Sequence, residues 1–246
     1  MDKALIGEFL GTVVLVWLGD SIGANLTLPQ AKGSGSGASA WVTVNMGWCF
    51  SLMMAIYAGW FFGSAQADFN PAVSLFKFLS GVEGYTLPRV IVLSIVQIAG
   101  GVVGGIGVYI TFAGYWDAPI SGEAKLGIFA TGTAVRNIPV NILQEAIETI
   151  FLIMGIQFLV RAIGGDATNT YLLPFMIGGL LYAIGAGMGG TTGYAMNIAR
   201  DLGPRIAYAI LPIPGKCAPD WGYSIVPIAG SLIGGVVSYA LCSALG

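Results

Sequence analysis

Six stretches of this chain, residues 4–26, 41–62, 86–113, 141–163, 171–189 and 221–245, are apolar and close to the ~20 helical residues that a hydrocarbon core of about 30 Å demands. No water is present in that core to satisfy backbone N–H and C=O groups, so such runs fold as spanning helices. Composition agrees with this reading: only 9% of the 246 residues are charged and 56% are hydrophobic, too little polar surface to coat a soluble domain. Disorder would need the opposite balance, low hydrophobicity with high charge. The 38 glycines suit membrane helices, where small residues let backbones approach closely. Residues 1–18 carry only Lys3 as a basic start, and Glu8 interrupts the apolar run, so the segment reads as a first span and not as a cleaved signal.

The same sequence excludes several classes. A net charge of −2 gives no concentrated basic face for nucleic acid. Cys49, Cys217 and Cys242 have no CxxC spacing, so neither a disulfide framework nor a zinc site is expected. Cys49 and Cys242 lie in apolar runs and read as small packing residues. The absence of histidine removes the commonest metal ligand and the commonest general base. No metal, no cofactor and no catalytic residues are expected, and an enzyme is disfavoured.

Two further segments are too short to span. Residues 70–80, closed by Gly81, reach about 16 Å at a helical rise of 1.5 Å per residue, and 197–211, closed by Pro212, also fall short of the core. They occupy corresponding places in two related halves. Glu8-x-x-x-Thr12 opens the first and Glu145-x-x-x-Thr149 the second; each is followed by an Asn-x-Ala tripeptide, Asn70-Pro71-Ala72 and Asn197-Ile198-Ala199. The expected organisation is a first repeat over 1–113, a connection over 114–140 and a second repeat over 141–246. Three spans in each half force opposite orientations, an inverted repeat, and paired short segments mark a permeation or binding site. Residues 27–40, with Gly33-Ser34-Gly35-Ser36-Gly37, read as a flexible loop, and Thr86-Leu87-Pro88 as a helix start. The termini are placed in the cytoplasm. Lys3, Lys77, Arg89 and Arg161 then fall inside and Lys32, Lys125, Arg136 and Lys216 outside, so the positive-inside rule does not decide the orientation.

An asparagine opening a half-helix at membrane depth has a physical task. It caps unpaired N–H groups at the positive end of the helix dipole. Two such ends meeting at the midplane would offer amide donors to a file of solutes and a barrier to cations and protons. A single Asn-x-Ala would read as an ordinary loop cap; two at matching repeat positions favour a pore.

ADFNPAVS at 67–74 and GYAMNIARDLGPR at 193–205 resemble the paired signature loops of the aquaporin and glycerol-facilitator family, in its aquaglyceroporin branch, and the similarity extends over essentially the whole chain. That resemblance implies an all-α membrane protein of six transmembrane helices and two re-entrant half-helices. It also implies a homotetramer with one pore per subunit, in a bacterial-type plasma membrane. The pore boxes would be Asn70, Pro71, Ala72, Asn197, Ile198 and Ala199. The selectivity filter would be Trp48, Gly185, Tyr194 and Arg200: two aromatic walls for a carbon edge, a fixed arginine for hydroxyls, and a glycine leaving a wider aperture. Glu8 and Glu145 would brace the re-entrant loops by accepting backbone N–H bonds. Asp201 would hold its loop and Arg200. Glu148 has no counterpart in the first half and receives no role.

Two positions depart from the family pattern. Ile198 replaces a proline, adding bulk and an N–H at the first helical position. Asp68 stands where a histidine is common, near Lys77 at a pore mouth, and is a candidate for tuning pH response or permeant choice. The function implied is a passive channel for glycerol-type polyols with some water. A variant of the same class would conduct protonated small organic acids such as lactic acid. Another class is a secondary active transporter, in which Glu8 and Glu145 would relay protons.

Overall fold

The computed structural model describes residues 2–164 and 170–245; positions 1 and 246, the outer bounds of the expected repeats, lie outside the described residues. Nine helices are seen among the described residues: α1 Lys3–Thr27, α2 Gly37–Phe62, α3 Pro71–Leu79, α4 Leu87–Thr111, α5 Gly122–Phe129, α6 Ile138–Ile163, α7 Leu173–Gly187, α8 Ile198–Ile210 and α9 Ile225–Leu245. Local signals set many of their ends. The side chains of Asp2, Thr86 and Asn137 cap α1, α4 and α6, with a proline in the first turn of the last two. Gly63 and Gly164 close α2 and α6 in the left-handed region.

Five helices, α1, α2, α4, α6 and α9, are long and apolar enough to cross a membrane. The expected span at 171–189 is shorter: α7 has 15 residues, about 22 Å of helix. Pro174 stands in its first turn, and Gly189 and Gly190 follow its end. The connection at 114–140 is not wholly loop, because α5 forms inside it. Phe129 and Trp116 from this connection pack with Tyr208 of α8. Lys125, read from sequence as an outer-loop charge, is buried and donates to the carbonyls of Trp116 (2.8 Å) and Pro214 (2.6 Å).

The half-helices are wedged between the long ones by glycine. On α4, Gly100 and Gly104 face α1, while Gly101 and Gly105 face α8. A Cβ at Gly101 would lie 2.4 Å from the Ala199 carbonyl oxygen. On α9, Gly230 and Gly234 face α6, and Gly235 faces the Ala72 carbonyl at the start of α3, 3.0 Å from where a Cβ would sit. The third long helix of each half therefore seats the half-helix of the other half, at a backbone approach that only small residues allow. Large apolar side chains such as Phe61, Ile95, Ile110, Phe158 and Phe175 remain exposed on the outer faces, as lipid requires.

Candidate functional site: a pore between two half-helices

The two asparagines meet as cap and counter-cap. Asn70 Oδ1 accepts from Ala72 N (3.0 Å) while its Nδ2 donates to the Met196 carbonyl (2.7 Å). Asn197 Oδ1 accepts from Ala199 N (2.9 Å) and Arg200 N (3.2 Å), and its Nδ2 donates to the Phe69 carbonyl (2.8 Å). Each side chain thus stitches its own half-helix to the opposite loop. The second hydrogen of each amide has no protein acceptor among the described residues, and both asparagines line the same cavity.

The loops leading into them are twins in backbone geometry. Ala67 and Phe69 have φ of 46° and 49°, and Tyr194 and Met196 have φ of 40° and 49°, positions three and one before each asparagine. Side chains with a Cβ adopt this left-handed region only when their surroundings enforce it. The enforcing groups are the two buried glutamates. Glu8 accepts from Asp68 N (2.9 Å), Phe69 N (2.8 Å), Ser64 Oγ (2.5 Å) and Gln97 Nε2 (2.9 Å). Glu145 accepts from Ala195 N (3.0 Å) and Met196 N (2.8 Å). Glu148, which sequence left without a role, accepts from Thr191 Oγ1 (3.3 Å) and Thr192 Oγ1 (3.2 Å), further back on the second loop.

Two cavities line up along this axis. One runs from Gln66, Asp68 and Lys77 past both asparagines, walled by Leu52, Ile56, Leu152, Ile177 and Leu181. The other lies beyond it, among Asp20, Gly23, Trp41, Ile128 and Thr131. Trp48, Tyr194 and Arg200 line both cavities, so these side chains form the partition between them. The Arg200 guanidinium lies over the Trp48 ring at 3.9 Å. Two aromatic faces and one guanidinium offer an apolar wall and several N–H donors to whatever passes.

Gly185 needs a different account from the one the family resemblance implied. A Cβ there would come 2.1 Å from Asn45 Oδ1 and 2.8 Å from Tyr194 Cζ. The space vacated by the missing side chain is filled by Asn45 and Tyr194. It does not widen the passage; it seats the Tyr194 ring that lines it.

Asp201 also differs from expectation: it does not hold Arg200. Its carboxylate accepts from Arg205 Nε (2.9 Å) and Nη2 (3.0 Å) and from Thr131 N (2.8 Å) and Oγ1 (2.7 Å). Arg205 and Asp201 are one helical turn apart on α8, so the pair closes locally and ties the half-helix to the loop after α5. Arg205 was missed from sequence, although an i, i+4 acid–base pair in an otherwise apolar region was the available signal.

Asp68 is fully engaged at the far mouth. Oδ1 meets Lys77 Nζ at 2.5 Å, and Oδ2 accepts from Ser74 Oγ (2.7 Å) and Tyr85 OH (2.7 Å). Burial first, and the Asp68 carboxylate second, push the Tyr85 phenol well above its ordinary pKa, so it stays a donor. Ile198 is buried, away from the cavity lining, and the half-helix starts after Asn197 as it does after Asn70.

A family model described as major intrinsic protein matches residues 1–241. The chain is 44% identical over 241 residues to glycerol uptake facilitator protein 3 of Lactiplantibacillus plantarum, covering 98% of this chain and 96% of the relative. A less similar relative, the D/L-lactic acid transporter of the same organism, is 36% identical, with 95% of each chain covered. Among solved structures, the aquaglyceroporin from Plasmodium falciparum superposes with a TM-score of 0.81 at 26% identity, covering 99% of this chain and 96% of that one.

Proposed function

The chain belongs to the major intrinsic protein family, and from that premise we propose that it is a passive channel for small neutral solutes, carrying glycerol-type polyols with some water, and not an enzyme. The observation that carries this reading is the partition of Trp48, Tyr194 and Arg200 between two cavities, one of which is floored by two asparagine-capped half-helices. A polyol presents a carbon edge and a hydroxyl edge; the aromatic faces suit the first, and the guanidinium and amide N–H groups suit the second. The opposed N-terminal ends of α3 and α8 place positive dipole ends at the junction and disfavour cations and protons there. In this reading Asn70, Pro71, Ala72, Asn197, Ile198 and Ala199 form the junction; Trp48, Tyr194 and Arg200, with Gly185 behind them, form the filter; Glu8 and Glu145 are the braces. Repeats at 1–113 and 141–246, a homotetramer, a bacterial-type plasma membrane and cytoplasmic termini complete the proposal.

A second reading, passage of protonated lactic acid, is favoured by the lactic acid transporter among the relatives. Light scattering on proteoliposomes separates the two. Glycerol uptake faster than in empty vesicles, and indifferent to proton and sodium gradients, is the expected result. Faster lactic acid uptake at the lower of two pH values would add the second permeant. Uptake that requires an ion gradient would replace the channel by an active transporter.

A further inference from the structure

The proposed filter leaves one nearby charge unused. Asp20 lies within the apolar helix α1, its side chain 1% exposed. Its Oδ1 is 3.4 Å from Arg200 Nη1, and its Oδ2 has no hydrogen-bond partner among the described residues. A carboxylate at this depth needs hydrogen-bond donors or a compensating cation, and among the described residues Arg200 is the partner Asp20 has. The region holds two acid–arginine pairs of different character. Asp201 and Arg205 are closed on each other through two hydrogen bonds of 2.9 and 3.0 Å, with both side chains 1% exposed. Asp20 and Arg200 share one long contact, and Arg200 keeps 12% exposure, facing the cavities.

Among the described residues, Asp20 is the only protein acceptor on the Arg200 guanidinium. The other constraint is the Trp48 ring beneath it. Stacking fixes the plane of a guanidinium but leaves rotation within that plane free; a carboxylate at one edge removes that freedom. The preceding residue brings this carboxylate into place. A Cβ at Gly19 would strike the Trp48 ring at 2.4 Å, so Gly19 lets α1 lie against the tryptophan with Asp20 beside the arginine.

We propose that Asp20 is a positioning residue of the constriction: it anchors one edge of Arg200 against Trp48 and leaves the other N–H groups turned to the lumen for the hydroxyls of a neutral polyol. The inference rests on the reading of Arg200 as a filter residue. The Gly19-Asp20 pair of α1 lies far in the chain from the arginine it serves.

The test uses the full chain in proteoliposomes and reads the ratio of glycerol permeability to that of a longer linear polyol such as xylitol, so that the amount of protein cancels. Asp20→Asn removes the charge without changing shape. It is expected to lower the ratio by about tenfold, the weight of a charge-assisted hydrogen bond, toward the value of Arg200→Ala. In an Arg200→Ala background, Asp20→Asn should change the ratio no further. A wild-type ratio in Asp20→Asn, with the ratio lost in Arg200→Ala, overturns the inference alone. An equal effect of Asp20→Asn in both backgrounds also overturns it, because Asp20 would then act through helix packing. A wild-type ratio in Arg200→Ala overturns the filter reading and the inference with it. Should Asp20→Asn not assemble, Asp20→Ser is read by the same criteria.

Discussion

The re-entrant loop before α3 and the one before α8 share a backbone and differ in their side-chain load. Both place two residues at positive φ, both hand consecutive N–H groups to a buried glutamate, and both end in an asparagine that donates to the opposite loop. The first then commits its acid, Asp68, to Lys77, Ser74 and Tyr85. The second carries Arg200 over Trp48 and a neighbouring tyrosine, with Glu148 gripping its threonines. What the two loops share is what a chain must do to turn back at membrane depth without orphaned N–H groups. What they do not share is the chemistry presented at each mouth.

That division predicts a ranking. Replacing a brace should do most damage, since each buried N–H left unpaired costs about 1–3 kcal/mol. Glu145→Leu should lose roughly 2–6 kcal/mol for its two backbone donors, and Glu8→Leu more, because Ser64 and Gln97 also depend on it. Thermal unfolding in detergent would measure both; equal, small shifts would break the claim that the glutamates enforce the turns. Asp68→Asn comes next. Losing the charged partner of Lys77 at a side chain with no exposure should cost about 1–3 kcal/mol. It should also change glycerol or lactic acid permeability; unchanged permeabilities would reduce Asp68 to an anchor.

Exchanging the boxes should matter less. Ile198→Pro fixes φ at a first helical position whose N–H needs no intrahelical partner, and loses some buried side chain, so the net change should stay within about 1 kcal/mol. Unchanged glycerol and water permeabilities in Ile198→Pro would confirm that the two junction halves are interchangeable; a changed ratio would make Ile198 part of the passage.

The smallest effect belongs to the exposed pair Arg136–Asp220. The hydrogen bond from Arg136 holds the Asp220 carboxyl below its ordinary pKa. A carboxyl depressed by folding stabilises above its unfolded pKa, and that contribution disappears as pH falls through the folded value. Arg136→Ala should therefore lower the unfolding midpoint slightly at neutral pH and not at strongly acid pH. A difference that persisted in acid would point to the stacking of Arg136 on Tyr223 instead.

How much of this was legible beforehand can be read from particular residues. Glu8, Glu145, Asn70 and Asn197 announced themselves because a charged or amide side chain inside an apolar segment is expensive, and its repetition at matching places is hard to explain otherwise. Trp48, Tyr194 and Arg200 followed from resemblance. Gly185 was assigned by what it lacks, and only packing revealed that Asn45 and Tyr194 occupy the vacancy. Asp201 sits next to Arg200 in the chain, yet successive residues of a helix point about 100° apart, so it faces Arg205 and Thr131.

By itself the sequence determined that the chain crosses a membrane, that its halves are related, and that each half folds back at an asparagine. Those properties reside in hydropathy, length and repetition, which survive when a chain is written in one dimension. The tertiary structure decided which third helix seats which half-helix, why Gly185 is glycine, and that Arg200 is met by an acid from α1. Each of these depends on contacts between segments remote in the chain, at distances of a few ångströms, and no local pattern records them.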